Sequence, residues 1–473
     1  MKCKKCGYEI EDDSSFCKNC GRPLKKSRLT LALAGTLLLS LGALAAYSMI
    51  SAAHDPRNSP EYLKRNPELN APEDITPELI QLISANAIDS LTINYEFTRC
   101  PKDEHDMFYF QKFQHERNPF WIANEKTPLR QIVFEVKPGK RVRSLACAFM
   151  DFKELEYVNI RDTSRIANMN GMFFNAAKFN QPLNEWDTSR VENMSFMFYN
   201  AKSFNSPLDK WDTGSVKYMA GMFWGAESFN QPVGSWDTGN TATFNSMFVQ
   251  AKAFNQPLNS WNTSKAKNMG AMFASAESFN QPLDKWDTSG VSDMSLMFDE
   301  AKAFNQPVGN WNTGKVKFMG GMFRGAKAFN QPIGDWNTSR VENMYEMFRE
   351  ASSFNQPIGS WNTGEVVEMA MMFRDARVFN QTLNNWDVSR VENMDYMFNN
   401  AEAFNQPLDK WAFREGASMR NMFNGASSFN QPLSSWKIPK SADISGIVRY
   451  AKSYTYPNPE DERSRLQVLS PER

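Results

Sequence analysis

The sequence predicts an α/β repeat solenoid built from coils of 25 residues, each with one short strand and one short helix, joined to a small metal module and a single apolar span. Three observations carry this. A 25-residue unit recurs from about Met169 to Val448 without insertion or deletion, and a fixed period of that size is the signature of stacked coils. Its columns are nearly invariant: Trp occupies one position from Trp186 to Trp436, so eleven of the chain's 13 Trp fall in one column. Ahead of the repeats stand two Cys-x-x-Cys pairs and then a run of 25 uncharged residues, Leu29 to Ala53.

Within a unit, Met194, Met197, Phe198, Ala201 and Phe204 follow a spacing of three, four, seven and ten, which is one apolar face of a short helix. Ser189 with Glu192 reads as its capping box, repeated at Ser339/Glu342 and Ser389/Glu392. Such a helix is marginal alone, so each unit must bury its Met-Phe face against its neighbours. Proline holds its column in ten of eleven units, with Thr382 as the exception, and cannot donate to a ladder. The strand is therefore expected around Leu183 to Trp186. The Asn column, Asn180 to Asn430, is expected to form a ladder whose side chains satisfy backbone groups. Twenty-one of 26 Met occupy two columns. Their helical spacing with Phe and Ala favours core packing over a copper-binding ladder.

The unit Phe-Asn-Gln-Pro-Leu-x-x-Trp-Asp-Thr-Ser-x-Val-x-x-Met-x-x-Met-Phe-x-x-Ala resembles the repeat of the BspA-like leucine-rich-repeat surface proteins of bacteria. The resemblance implies a leucine-rich-repeat-type solenoid and a cell-surface role in adhesion or protein binding, with no catalytic residues.

Taken in order, residues 1–24 carry Cys3, Cys6, Cys17 and Cys20, two knuckles at the spacing of a tetrahedral site. They resemble a zinc ribbon. Four cysteines close the coordination shell, so the zinc is structural; rubredoxin-like iron is the alternative. Residues 25–53 form a basic flank and a span longer than the ~20 residues that cross a bilayer. Eight Lys and Arg in residues 1–28 against three between His54 and Ile75 place the N-terminus in the cytoplasm and the repeats outside it. A cleaved signal peptide competes with this reading, but its leader would have to contain the metal module. Residues 54–75, rich in proline and charge, read as a linker. Residues 76–143 read as an N-terminal cap, with a helix opening at Thr76-Pro77 and strands at Leu91 to Phe97 and Gln131 to Val136. The solenoid with its degenerate terminal units occupies 144–456. Residues 457–473 read as a disordered tail.

Lys+Arg and Asp+Glu are both 53, which argues against nucleic acid as a partner. The three histidines, His54, His105 and His115, precede the repeats, and no cysteine follows Cys147. That removes most general bases and nucleophiles, so no enzyme is expected. Cys100 and Cys147 are either a disulfide or two buried thiols. Recognition should use columns that vary on a fixed scaffold. The residue after the Met-Phe pair runs from Phe174, Tyr199 and Trp224 to Arg324, Arg349 and Arg374. Stacking would turn it into an aromatic strip and an arginine strip that grip a protein or glycan. The competing reading is that Glu350 and Asp375 simply neutralise the arginines. The function expected is membrane-anchored, non-enzymatic recognition outside the cytoplasm. A transmembrane sensor or scaffold whose zinc ribbon contacts a cytosolic protein is the second reading, and a structural envelope component the third.

Overall fold

The computed structural model describes residues 60–95, 118–126 and 128–461. The chain divides into Met1–Tyr62 and Leu63–Arg473, and the fold below lies in the second unit. The four cysteines of residues 1–24, the apolar run Leu29 to Ala53, Cys100 and residues 462–473 lie outside the described residues. Among the described residues no helix is long and apolar enough to cross a membrane.

The N-terminal part is a four-stranded parallel sheet in the order β1 (Glu68–Leu69), β2 (Ser90–Ile93), β3 (Gln131–Pro138), β4 (Tyr157–Ile160). Helix α1 (Pro77–Ser84) connects β1 to β2. Thr76 caps it as expected, accepting from the Leu79 amide at 3.2 Å, with Pro77 in the first turn. Helix α2 (Pro119–Lys126) precedes β3 and packs against α1. Leu79, Ile80 and Ile83 of α1 and Leu91, Ile93, Ile132 and Val136 of the strands are buried in a core continuous with that of the repeats. The residues read as a linker over 54–75 thus contain β1, and the folded unit starts before residue 76.

Sheet pairing stops at β4. The next coil would offer Pro182, which has no N–H. Instead the side-chain amide of Gln181 imitates a strand, accepting from the Val158 amide at 2.7 Å and donating to its carbonyl at 2.8 Å. The strand expected at Leu183 to Trp186 is absent, as it is in the coil where Thr382 replaces the proline. In its place a turn closes from the Trp186 amide to the Leu183 carbonyl, and both side chains point into the core.

The expected helix is also absent. The segment from Met194 to Phe204 is a succession of tight turns, closed three residues apart by Met197 onto Met194, Tyr199 onto Phe196, Ala201 onto Phe198 and Phe204 onto Ala201. The intervening amides of Met194, Phe196, Phe198 and Asn200 leave the coil and bond to Tyr218, Ala220, Met222 and Trp224 of the next one at 2.6–3.0 Å. A helix would have kept all these amides to itself. Two residues per coil pay for the alternation with left-handed backbone, Phe196 at φ 55° and Asn200 at φ 53°, and the columns through both keep positive φ along the stack. The only strand-like feature of each coil is one parallel bridge, such as Asn193 to Tyr218. The capping-box serines serve the preceding turn: Ser189 donates its amide and hydroxyl to Asp187 Oδ1 at 3.0 and 2.6 Å.

Side-chain ladders complete the seal between coils. Each Asn of the expected ladder from Asn180 to Asn405 accepts from the backbone amide of the next Asn, as Asn330 donates to Asn305 Oδ1 at 3.0 Å, and Asn430 accepts from Thr455. Trp311 Nε1 donates to the Leu283 carbonyl at 3.1 Å, and the column repeats the bond from Trp211 to Trp436. Thr188 Oγ1 donates to the Asp212 carbonyl. Phe198 stacks on Phe204 at 3.9 Å within its coil and on Phe223 at 5.6 Å in the next. The degenerate last coil buries Ile444 and Ile447 in register, and Glu460 caps its Gly446 amide at 2.9 Å. Residues 457–461 therefore belong to the fold rather than to a tail.

Candidate functional site

Because the turns send Met197 and Phe198 into the core, the residues on either side of this pair emerge on the far side of the coil wall. There they form a second apolar cluster of Cys147, Met150, Phe174, Phe196, Tyr199 and Ala220, with Trp224 packed against it. Phe174 and Tyr199 stack at 4.2 Å and an interplanar angle of 5°, and Trp224 leans on Tyr199 at 5.4 Å and 52°. Phe174 is 4% exposed and Tyr199 9%. Of the aromatic strip, Trp224 is the member with accessible surface. Cys147, at the N-terminal end of the same cluster, is disulfide-bonded, and its partner lies outside the described residues.

The arginine strip forms an ion network. Arg324 binds Asp299 through two parallel bonds of 2.7 and 2.8 Å and reaches Glu346 at 2.8 Å. Arg349 shares Glu346 at 2.5 Å and meets Glu350 at 3.1 Å. The Glu346 side chain is 3% exposed. Burial works to raise its carboxyl, but the bonds from Arg324 and Arg349 prevail and hold it below the ordinary glutamate value. Hydrogen bonding to Asp299 in turn raises Arg324. Arg374 is least engaged, with Asp375 at 3.2 Å and the Tyr396 ring 6.0 Å away. The sequence offered Glu350 and Asp375 as neutralising partners, and both pairs exist. It missed Asp299 and Glu346, although Asp299 stands 25 residues before Arg324 in the same column. Column arithmetic would have found that pair.

Among the described residues no group of three or more His, Cys, Asp or Glu is arranged to hold a metal ion. What the face can do chemically is present one indole, a guanidinium beside a phenol, and a graded series of polar side chains on a rigid wall.

Residues 2–24 match a zinc-ribbon domain. A solved structure titled "Crystal structure of TLR13-ssRNA13 complex" is matched over 84% of this chain at 10% identity, with a TM-score of 0.22; the chain spans 58% of the length of that one. No curated protein matches. Five overlapping matches to one repeat family run from residue 143 to residue 460, more than half of the sequence. The chain therefore belongs to the family described as Mycoplasma protein of unknown function, DUF285.

Proposed function

We propose that this is a membrane-anchored repeat protein that recognises a protein or glycan outside the cytoplasm without chemistry of its own. The carrying observation is the division of labour between columns. Asn, Trp and Phe are fixed, and Met and Thr nearly so, because each seals one coil to the next, while the far side of the wall runs from Trp224 through small residues to Arg374 and Tyr396. A surface free to vary on a wall that cannot is the arrangement expected of a recognition scaffold. In this reading Leu29 to Ala53 is the single span with the N-terminus inside, and Cys3, Cys6, Cys17 and Cys20 hold a structural zinc in the cytoplasm.

The matched zinc ribbon favours one further reading, in which ligand capture outside is relayed to a cytosolic protein. Protease applied to intact cells should remove the repeats and spare residues 1–24; protection of the repeats would end the topology. Binding to envelope components by the full chain should survive deletion of residues 1–24 and fall when Arg374→Glu is combined with Trp224→Ala. Binding unchanged in that double variant would remove this face from the function, and binding lost with the deletion would favour the relay.

A further inference from the structure

We infer a second binding site, for a phosphate ester, at the first turn of the solenoid. In ten successive turns, from Asp162 to Asp387, the Asp or Asn side chain turns back and accepts the amide two residues on, as Asp187 does from Ser189 at 3.0 Å and Asn337 from Ser339 at 3.1 Å. The turn before them has the same backbone. Val142 donates to the Gly139 carbonyl at 2.9 Å as Ile166 donates to Thr163, and the Ala167 amide follows onto the Arg143 carbonyl. By this register Pro138 stands where Asp162 stands in the next coil. Proline has no oxygen to offer, so the Lys140 amide lacks the acceptor that its ten counterparts have.

The surroundings supply positive charge in place of the missing carboxylate. Lys140 and Arg141 are exposed and, among the described residues, neither has an acidic partner within ion-pair distance. Lys137 stands beside them, sharing Glu135 with Arg161. These cations line a cavity of about 640 Å³ at the carboxyl ends of β1, β2 and β3, together with Asn70, Asn94 and one acid, Glu68. Gly139 is required there, since a Cβ would lie 2.0 Å from Asn94 Oδ1 and 2.8 Å from the Ile93 carbonyl. Two C-terminal turns also lack the Asp: at the first the Arg414 amide has no such acceptor either, but its guanidinium is taken by Glu392, so no free cation accompanies it, and at the second Pro439 has no amide.

Two unpaired cations and one orphaned amide suit a phosphate, whose charge is spread over several oxygens, better than a single carboxylate. The cavity exceeds what an inorganic ion fills and falls in the range of small-molecule sites. The phosphate is therefore carried on a larger body, a lipid headgroup or a soluble ester. This site is separate from the variable face and does not depend on its ligand.

Titration calorimetry on the full chain in nonionic detergent, with sodium phosphate, glycerol phosphate and dihexanoyl phosphatidylglycerol as probes, tests it. Wild type should bind the esters, more weakly as salt rises. Pro138→Asp rebuilds the internal acceptor and should lose about tenfold or more in affinity, as should Lys140→Gln with Arg141→Gln, while Pro138→Ala should keep it. Tighter binding of the phospholipid than of glycerol phosphate identifies a headgroup; equal binding identifies a soluble ester. No uptake of any probe by wild type, or a folded Pro138→Asp variant that binds as wild type does, overturns the inference.

Discussion

Removing one rung of the asparagine ladder separates a sealed stack from a row of independently folded units. Asn305 Oδ1 accepts the Asn330 amide at 3.0 Å and Gln331 Nε2 at 3.0 Å. In Asn305→Ala the Asn330 amide loses its only partner, at about 1–3 kcal/mol for a half-buried donor. Gln331 keeps the Asn305 carbonyl at 3.0 Å and loses about 0.5 kcal/mol. The total is about 2 kcal/mol, concentrated at one junction because a solenoid's stability is a sum of nearest-neighbour terms. Hydrogen exchange at Asn330 should therefore quicken about thirtyfold, while Asn280 and Asn405, coils away, keep their protection. Asn305→Asp retains the acceptor and should stay within a few-fold of wild type. An unchanged rate at Asn330, or an Asp variant as fast as the Ala variant, would refute the claim that the side-chain oxygen holds the junction.

Four other outcomes follow from the same geometry. Trp311→Phe keeps the ring stack but removes one of the two donors to the Leu283 carbonyl, which keeps the Trp286 amide, so it should cost about 0.5–1.5 kcal/mol in urea unfolding, with the loss local to that junction. Glu346→Ala should cost about 3 kcal/mol by leaving Arg324 and Arg349 short of a buried partner, whereas Glu350→Ala, whose side chain is 41% exposed, should cost less than about 1. Burial raises the Glu300 carboxyl, with Asp299 and Glu350 adding to it, so the folded state holds that proton more tightly than the unfolded one. Stability should then fall as pH rises from the ordinary glutamate value of 4.5 through the raised one; Glu300→Asn should remove that fall and, because the residue sits at φ 52°, raise the melting temperature. Chelation of zinc should abolish the ordered signal of residues 2–24 and leave the solenoid's unfolding transition where it was.

The period, the inward set and the asparagine ladder were legible because each depends on side chains that recur at a fixed step. Met194, Met197, Phe198, Ala201 and Phe204 all point into the core, as the pattern required. That the face is built on turns and not on the expected helix was not legible, because a spacing of three, four and seven is equally satisfied by turns that close three residues apart. What separates the two is the destination of alternate amides, and that is a property of the neighbouring coil rather than of the sequence within the unit. A clue did exist at the positions of Phe196 and Asn200. Their columns contain Gly221, Gly321, Gly225 and Gly325, and recurrent glycine four residues apart is foreign to a helix but natural where the backbone is left-handed.

The same argument explains why the strand appears only at the N-terminal end. Tyr157 to Ile160 and Pro182 to Glu185 occupy equivalent places one coil apart, yet only the first pairs in a sheet. Tyr157 has an amide and Pro182 has none, yet Thr382 has one and lies in the same turn, so proline bars pairing without shaping the coil, and Gln181 seals the boundary between sheet and turns. A substitution that returned an amide at Pro182 would leave the Gln181 contacts and every neighbouring turn in place. The prediction is that Pro182→Thr, the residue that already stands at 382 in this column, is tolerated within about 1 kcal/mol and does not extend the sheet. An added strand signal in that variant would show that proline alone, and not the ladder of asparagine, tryptophan and threonine bonds, decides the shape of the coil.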